Sequence, residues 1–364
     1  MNRFKNSFVT KFLFVVMLTF SFQVISIIGS NEALAADPAC TFNGDGQIDS
    51  SDIITGAGRT KFCTKQPEAL RFFPIGAWAC TAKPVAPTTS TAIDLSNCVQ
   101  ILSADGTSSV DISTVGDTVP FSGGTLTIPG VGIYTHIVFE ADSVFGLKGN
   151  VVSDDTTVVT GSIAGAGVAN AAGEFCWTVA GSYINTSKAN MDCGDTLGAT
   201  YGIALVDMVC MDDACSKAGS SDNEVDGAVP GSDWQYSSNN SGNSGNVKKF
   251  DVTGSDGVTR STEYYVMNRD TRVLCSQSTC LAADNTRAVG VTTSMVMAQA
   301  LPQAVGNNTE TPSKFDINFK LGTSQLIDTS RTVSGANVIA TRMGPVAVEF
   351  ILTYNRAART RSWR

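Results

Sequence analysis

Ten cysteines and a single histidine, His136, constrain this chain more than any other feature, and every cysteine lies beyond a short basic and apolar leader. The combination predicts an exported fold cross-linked by disulfides. It also leaves few residues for acid–base or zinc chemistry. Arg3, Lys5 and Lys11 give a basic start, Phe12–Ile28 is an apolar run, and Ala33-Leu34-Ala35 matches a small-x-small cleavage pattern. Residues 1–35 are therefore expected to be a signal peptide. The run is at the short end for a spanning helix, and no second long apolar run follows, so no membrane span is expected after cleavage. The expected location is secreted: periplasm, outer surface or extracellular.

The candidate disulfide cysteines are Cys40, Cys63, Cys80, Cys98, Cys176, Cys193, Cys210, Cys215, Cys275 and Cys280. Their even number permits full pairing, with connectivity open. Cys63, Cys80 and Cys98 recur as Cys176, Cys193 and Cys210 at offsets of 113, 113 and 112. Duplication and coincidence both fit that spacing. Cys210–Cys215 and Cys275–Cys280 share a C-x4-C spacing, which suits a hairpin loop closed by a local disulfide. A zinc knuckle would want C-x2-C pairs or histidines instead.

Lys and Arg number 25 against 33 Asp and Glu, for a net charge of −8. Loss of the leader, with three basic residues and one acid, makes the remainder more acidic still. Such a surface argues against nucleic acid, whose phosphates need Lys and Arg. Charged residues are only 16%, against about 25% in ordinary domains. Ser, Thr, Asn and Gly supply the missing polarity, as in extracellular β proteins.

Phe315–Leu321 alternates apolar and polar, which predicts a strand with one wet face. Ile133, Thr135, Ile137 and Phe139 share one side of another segment, with Tyr134, His136 and Glu140 opposite. Val346–Tyr354 reads as a buried strand. Val158–Ile163, Tyr201–Met208, Thr262–Met267 and Ala288–Met297 are further strands. Gln66–Phe73 and Asn185–Met191 read as short helices. The predicted fold is mostly β: an antiparallel β-sandwich, one large or two consecutive sandwiches with long polar loops, disulfide-stabilised. Its expected divisions are an N-terminal segment at 36–63, a β-sandwich at 64–216, a polar linker or long loop at 217–246, a second β region at 247–354 and an arginine-rich tail at 355–364.

Thr41–Asp52 resembles the calcium loop of dockerins and EF-hands. Asn43, Asp45 and Asp49 fall on oxygen-donor positions, Gln47 lies between them, Gly46 takes the sharp turn and Asp52 the last position. The resemblance implies Ca2+ as the one candidate ion, held by Asn43, Asp45, Gln47, Asp49 and Asp52. Thr41 stands where a carboxylate is usual, and no second loop follows. The other reading is a polar turn followed by a capped short helix.

A second resemblance rests on Val110-Asp111-Ile112, Leu126-Thr127-Ile128-Pro129-Gly130 and Gly132-Ile133-Tyr134-Thr135-His136-Ile137. This order looks like uncharacterised bacterial secreted and surface proteins with transthyretin-like, or carboxypeptidase-regulatory-like, β-sandwich domains. It implies a scaffold or adhesive module and transfers no catalytic residue.

Any Ser–His or Cys–His mechanism would have to use His136, which falls on a strand face. The acid pairs Asp154-Asp155 and Asp212-Asp213 suit loop solvation, and Gly161–Gly167 lacks the Lys-Ser/Thr ending of a phosphate loop. No enzyme is expected. Arg356, Arg359, Arg361 and Arg364 crowd the C-terminus. They form either a solvated tail or an electrostatic tether to an anionic envelope polymer or to the acidic body of a second copy. The sequence thus points to an exported structural or adhesive protein of a bacterial envelope, a scaffold, matrix or fibre component, with self-association or an extracellular polymer as partner. The alternative is a calcium-dependent docking or carbohydrate-binding module using Asn43–Asp52.

Overall fold

The computed structural model describes residues 39–52, 62–88, 90–113, 124–155, 159–160, 173–183, 189, 191–207, 248–275, 280, 292–322, 324–333, 336–344 and 346–354. The expected signal peptide at 1–35 and the polar stretch at 217–246 lie outside the described residues.

A 3-10 turn at Ser50–Asp52 precedes the strands. In chain order these are β1 (Phe62–Lys65), β2 (Ala69–Phe72), β3 (Pro74–Cys80), β4 (Cys98–Ala104), β5 (Val110–Ser113), β6 (Gly124–Leu126) and β7 (Gly132–Asp142). There follow β8 (Val144–Lys148), β9 (Asn150–Val152), β10 (Val159–Thr160), β11 (Phe175–Thr178), β12 (Gly181–Tyr183), β13 (Met191–Gly194) and β14 (Ala204–Asp207). The remainder are β15 (Lys248–Thr253), β16 (Thr259–Asn268), β17 (Thr293–Asn307), β18 (Lys314–Lys320), β19 (Gln325–Val333), β20 (Ala336–Met343) and β21 (Ala347–Thr353).

A seven-stranded sheet, ordered β15-β16-β17-β7-β3-β4-β6, dominates the fold. Beside it are a five-stranded sheet (β12-β14-β8-β2-β5), a four-stranded one (β1-β19-β20-β10), a three-stranded one (β13-β11-β9) and the β18-β21 pair. Pairing is antiparallel except at β10–β20 and β12–β14. The predicted mostly antiparallel, disulfide-stabilised, sandwich-like fold is what the chain adopts. β17, which follows the polar stretch at 217–246, pairs directly with β7, which precedes it. The two β regions flanking that stretch therefore share one sheet, and 36–364 form one unit.

The main core lies between the seven-stranded sheet and the layer formed by the five-stranded sheet and β18-β21. Its centre is an aromatic triangle with one ring from each of three sheets. Phe139 of β7 meets Phe72 of β2 edge-on at 6.0 Å and Phe319 of β18 at 5.3 Å; Phe72 stacks on Phe319 at 5.5 Å. Each such pair adds about 0.5–1.5 kcal/mol beyond burial of its area. The opposite face of the same sheet is covered too. Val138, Val296, Tyr265 and Cys80 pack there under Ile93, Leu95 and Leu274. Bonds from Leu274 N to Thr88 O (2.9 Å) and Ile93 N to Arg272 O (3.1 Å) tie the two covering segments to each other.

Three expectations change. Gln66–Phe73 is not a helix: Ala69–Phe72 is β2, held between β5 and β8. Burial of Leu70 and Phe72 in the main core overrides helical propensity there. In β7, Tyr134 rather than Ile133 joins Ile137 and Phe139 in the core; Ile133 is exposed. The partner strand explains the change of phase, because the register slips between Ala300 and Val305 of β17. Pro302 lies in that slip and can donate no ladder hydrogen bond. In β18, Phe319 and Ile317 turn inward as expected, yet Asn318 and Lys320 on the other face are also buried. Glu349 of β21 pairs with both, at 3.1 Å from Asn318 Nδ2 and 3.3 Å from Lys320 Nζ. The remaining strands lie where read, except that parts of Val158–Ile163, Tyr201–Met208 and Ala288–Met297 fall outside the described residues; of the expected second helix at Asn185–Met191 only Ala189 and Met191 are described, and Met191 opens strand β13.

Phe139→Ala should remove the ring shared by both aromatic contacts of β7. We expect a loss of about 3–5 kcal/mol in urea unfolding. Exposed Ile351→Ser, by contrast, should stay within about 0.5 kcal/mol.

Candidate functional site

The Thr41–Asp52 loop is organised by its own backbone donors. Asn43 Oδ1 accepts from Asp45 N and Gln47 N, both at 3.0 Å, and Gly46 N closes the turn on Asn43 O. Gly46 has φ of 77°, a left-handed conformation that glycine adopts without strain. Asp52 Oδ2 accepts from Thr41 N at 2.6 Å, and Asp49 Oδ1 from Ser51 N at 2.9 Å. Asn43 Nδ2 donates to Gln47 Oε1, and Gln47 Nε2 donates to Glu174 Oε1 at 2.6 Å. Ile48 N donates to Val152 O, which buries Ile48 in a second core with Cys40, Cys63, Val151 and Cys176. The loop is thus stitched to β9. Among the described residues no group of three or more His, Cys, Asp or Glu is placed to share a metal ion.

Four disulfides join the described cysteines: Cys40–Cys63, Cys80–Cys98, Cys176–Cys193 and Cys275–Cys280. Cys80–Cys98 and Cys176–Cys193 link directly opposed residues of neighbouring strands. The C-x4-C pair Cys275–Cys280 is the local closure the spacing suggests. Cys210, Cys215 and the arginines Arg356, Arg359, Arg361 and Arg364 lie outside the described residues.

His136 is half-buried and stands opposite Cys80 and Ala300. Burial, helped by nearby Lys83, holds its pKa below the ordinary value, with Glu263 opposing. Its Nδ1 is 2.9 Å from Thr135 Oγ1. The cysteine beside it is locked in a disulfide and supplies no thiolate nucleophile. Lys83 Nζ is paired with Glu263 at 2.6 Å. The arrangement places on a sheet an imidazole that burial holds toward its neutral form, with the Thr135 hydroxyl as its close partner and the neighbouring cysteine oxidised.

Two polar clusters escaped the sequence reading. Glu140 of β7 is fully buried, where alternation placed it on a wet face. It accepts from Arg272 Nη1 at 3.0 Å and from Ser294 Oγ at 2.7 Å. Arg272 sits at φ of 58° and lies over Trp78 at 5.5 Å. A non-glycine residue in that region carries about 1–3 kcal/mol of strain. The turn imposes it through Arg272 N donating to Asn268 O at 2.8 Å and Asn268 Oδ1 accepting from Asp270 N and Thr271 N. A lone carboxylate inside the apolar run Ile137–Ala141 was the available signal.

The second cluster gathers Lys65 at the end of β1, Glu68 in the next turn and Asn150 at the start of β9. Lys65 Nζ donates to Asn150 O at 2.8 Å and to Asn150 Oδ1 at 3.3 Å. Asn150 Nδ2 donates to Glu68 Oε1 at 2.8 Å. Tyr201 Oη also donates to that carboxylate, and Lys148 Nζ stands 3.7 Å from it. Burial pushes the Lys65 pKa down, with Glu68 opposing. Nothing in the sequence links these three residues.

No protein-family model, curated protein or solved structure matches this chain.

Asn43→Ala removes the acceptor for two loop donors and should lower stability by about 1 kcal/mol. We expect the same loss in excess calcium and in chelator, read by chemical denaturation; a loss confined to calcium would favour the ion-binding reading. Arg272→Ala leaves the Glu140 carboxylate buried and unpaired and should lower stability by about 3–5 kcal/mol at neutral pH. Urea denaturation of the wild type and the variant at neutral pH measures the loss.

Proposed function

We propose that this chain is an exported, non-enzymatic structural subunit of a bacterial envelope or extracellular matrix, and that it pairs with a second copy of itself along β6. One observation carries the reading: among the described residues β6 is an uncharged end strand of its sheet, paired on one side alone. No Asp, Glu, Lys or Arg occurs between Asp117 and Glu140. Leu126, Ile128, Val131 and Ile133 are all exposed along this stretch. β6 closes the seven-stranded sheet beyond β4, and Leu126 pairs with Leu102. Thr127 N donates inward to Ile101 O at 2.9 Å, so pleat alternation turns the N–H and C=O of Leu126 and Ile128 outward.

Such an edge is a template for another strand. Folded proteins commonly guard edges with lysine, an inward charge or a bulge. Here such a guard is missing from β6, which lies in a long stretch where an acidic chain of net charge −8 carries no charge. Two acidic copies repel least at that strip, which favours a second copy over a cationic or anionic partner. Disulfides at four described sites support an oxidising compartment. The half-buried His136 and its oxidised neighbour support a role without catalysis.

The test is sedimentation and negative-stain imaging of the mature protein over a wide concentration range. We expect ordered association that the double variant Leu126→Lys/Ile128→Lys abolishes without lowering the melting temperature. A wild-type protein that stays monomeric throughout overturns the reading.

A further inference from the structure

We propose that Lys65 and Asn150 become joined by an amide bond between their side chains once the chain has folded, with Glu68 carrying the proton. The proposal stands on the geometry of this site and is independent of the β6 edge.

The three groups needed for such a bond are aligned. Lys65 Nζ makes its contacts with the two oxygens of Asn150, at 2.8 and 3.3 Å. The leaving nitrogen, Asn150 Nδ2, is held by Glu68 Oε1 at 2.8 Å. Glu68 is therefore placed beside the group that must be protonated, and its ion pair is with Lys148. A surface lysine would be charged and carry no lone pair. Lys65 is half-buried, and burial favours its neutral, nucleophilic form.

The partners are also fixed from both sides. Lys65 is registered opposite Gln325 of β19, and Asn150 opposite Trp177 of β11. Gln325 Nε2 reaches Asn150 O at 3.4 Å, crossing directly over Gly149. A Cβ at Gly149 would stand 2.4 Å from Gln325 Oε1, so the glycine lets this bridge close. Holding amine and amide together in this way turns a negligible bimolecular aminolysis into a single-site event.

The step balances without a cofactor or oxidant. The neutral Nζ attacks Asn150 Cγ, forming a C–N bond while Oδ1 takes up the carbonyl electron pair. One Nζ proton passes to the Glu68 carboxylate, which delivers it to Nδ2. The Oδ1 pair re-forms the carbonyl, the Cγ–Nδ2 bond breaks and ammonia leaves. The product is a secondary amide, and Glu68 returns to its starting state. The bond would tie β1 to β9 across 85 residues of sequence. It lies two residues from Cys63 of the Cys40–Cys63 disulfide, yet no reductant would open it.

The test is mass spectrometry of the reduced, full mature protein, intact and after trypsin. We expect a mass lower than the sequence by one ammonia, no cleavage after Lys65, and a branched peptide joining the Lys65 and Asn150 fragments. Lys65→Arg and Glu68→Gln should retain the ammonia while keeping the wild-type circular dichroism spectrum. Loss of ammonia that persists in Lys65→Arg without a branched peptide would place it elsewhere, for example as a succinimide at Asn43-Gly44, and overturn the proposal. So would a wild-type protein cleaved normally after Lys65. Either wild-type outcome decides the matter even if a variant fails to fold.

Discussion

The burial of β7 on both faces over Ile137–Ala141 is the constraint on which the rest of the structure depends. One face supplies Phe139 to the aromatic triangle; the other presents Val138 and Glu140 beneath the segments that carry Ile93 and Leu274. A strand in that position has no wet side, so its one carboxylate needs a counter-charge brought from above. The turn at Asn268–Val273 exists in the form needed to bring Arg272 there, at the expense of a left-handed backbone. The covering segments are in turn bonded to each other, and the one that carries Ile93 is the loop closed by the Cys80–Cys98 disulfide. Packing therefore sets the electrostatics here: burial comes first, and the ion pair makes it tolerable.

What the sequence conveys follows from this. Alternation and β-rich runs locate β14, β16, β18 and β21, because strand residues advertise a period wherever one face packs. The same rule misassigns Glu140, Asn318 and Lys320, since it assumes that polar residues face water. It also misses the phase change at Tyr134, which originates in β17, far along the chain. Gln66–Phe73 fails for a related reason: a four-residue strand flanked by two others has too few residues to show any period. The N-terminal loop was legible as a sharp turn through Gly46 and Asn43. Lys65, Glu68 and Asn150 were not legible, because β1 reaches β9 only through the register of β19 and the turn at Glu68.

The covalent links divide by reach. The four described disulfides close separations of 23, 18, 17 and 5 residues. Two of them join strands already paired, and a loop of about 15 residues is worth about 3 kcal/mol in chain entropy. They pin hairpins and do not fasten one sheet to another. Long-range order rests instead on the aromatic triangle and on polar bridges such as Gln325 to Asn150. A bond from β1 to β9 would act at the level the disulfides leave uncovered, and it would close a longer loop than any of them.

The two ends of the seven-stranded sheet are unlike, and the difference bears on how copies would associate. β15 at one end carries Lys248, Lys249 and Asp251, while β6 at the other carries no charge. Pairing β6 of one copy to β15 of the next would set the apolar strip against charged side chains and, repeated, would build an open chain. Pairing β6 to β6 sets Leu126 and Ile128 against their own counterparts and closes at two copies, with both charged β15 edges facing outward as guards. Antiparallel association of identical strands is self-complementary, so a single uncharged edge is sufficient for it. On these grounds the closed pair is favoured as the unit, and growth beyond it would need a different surface.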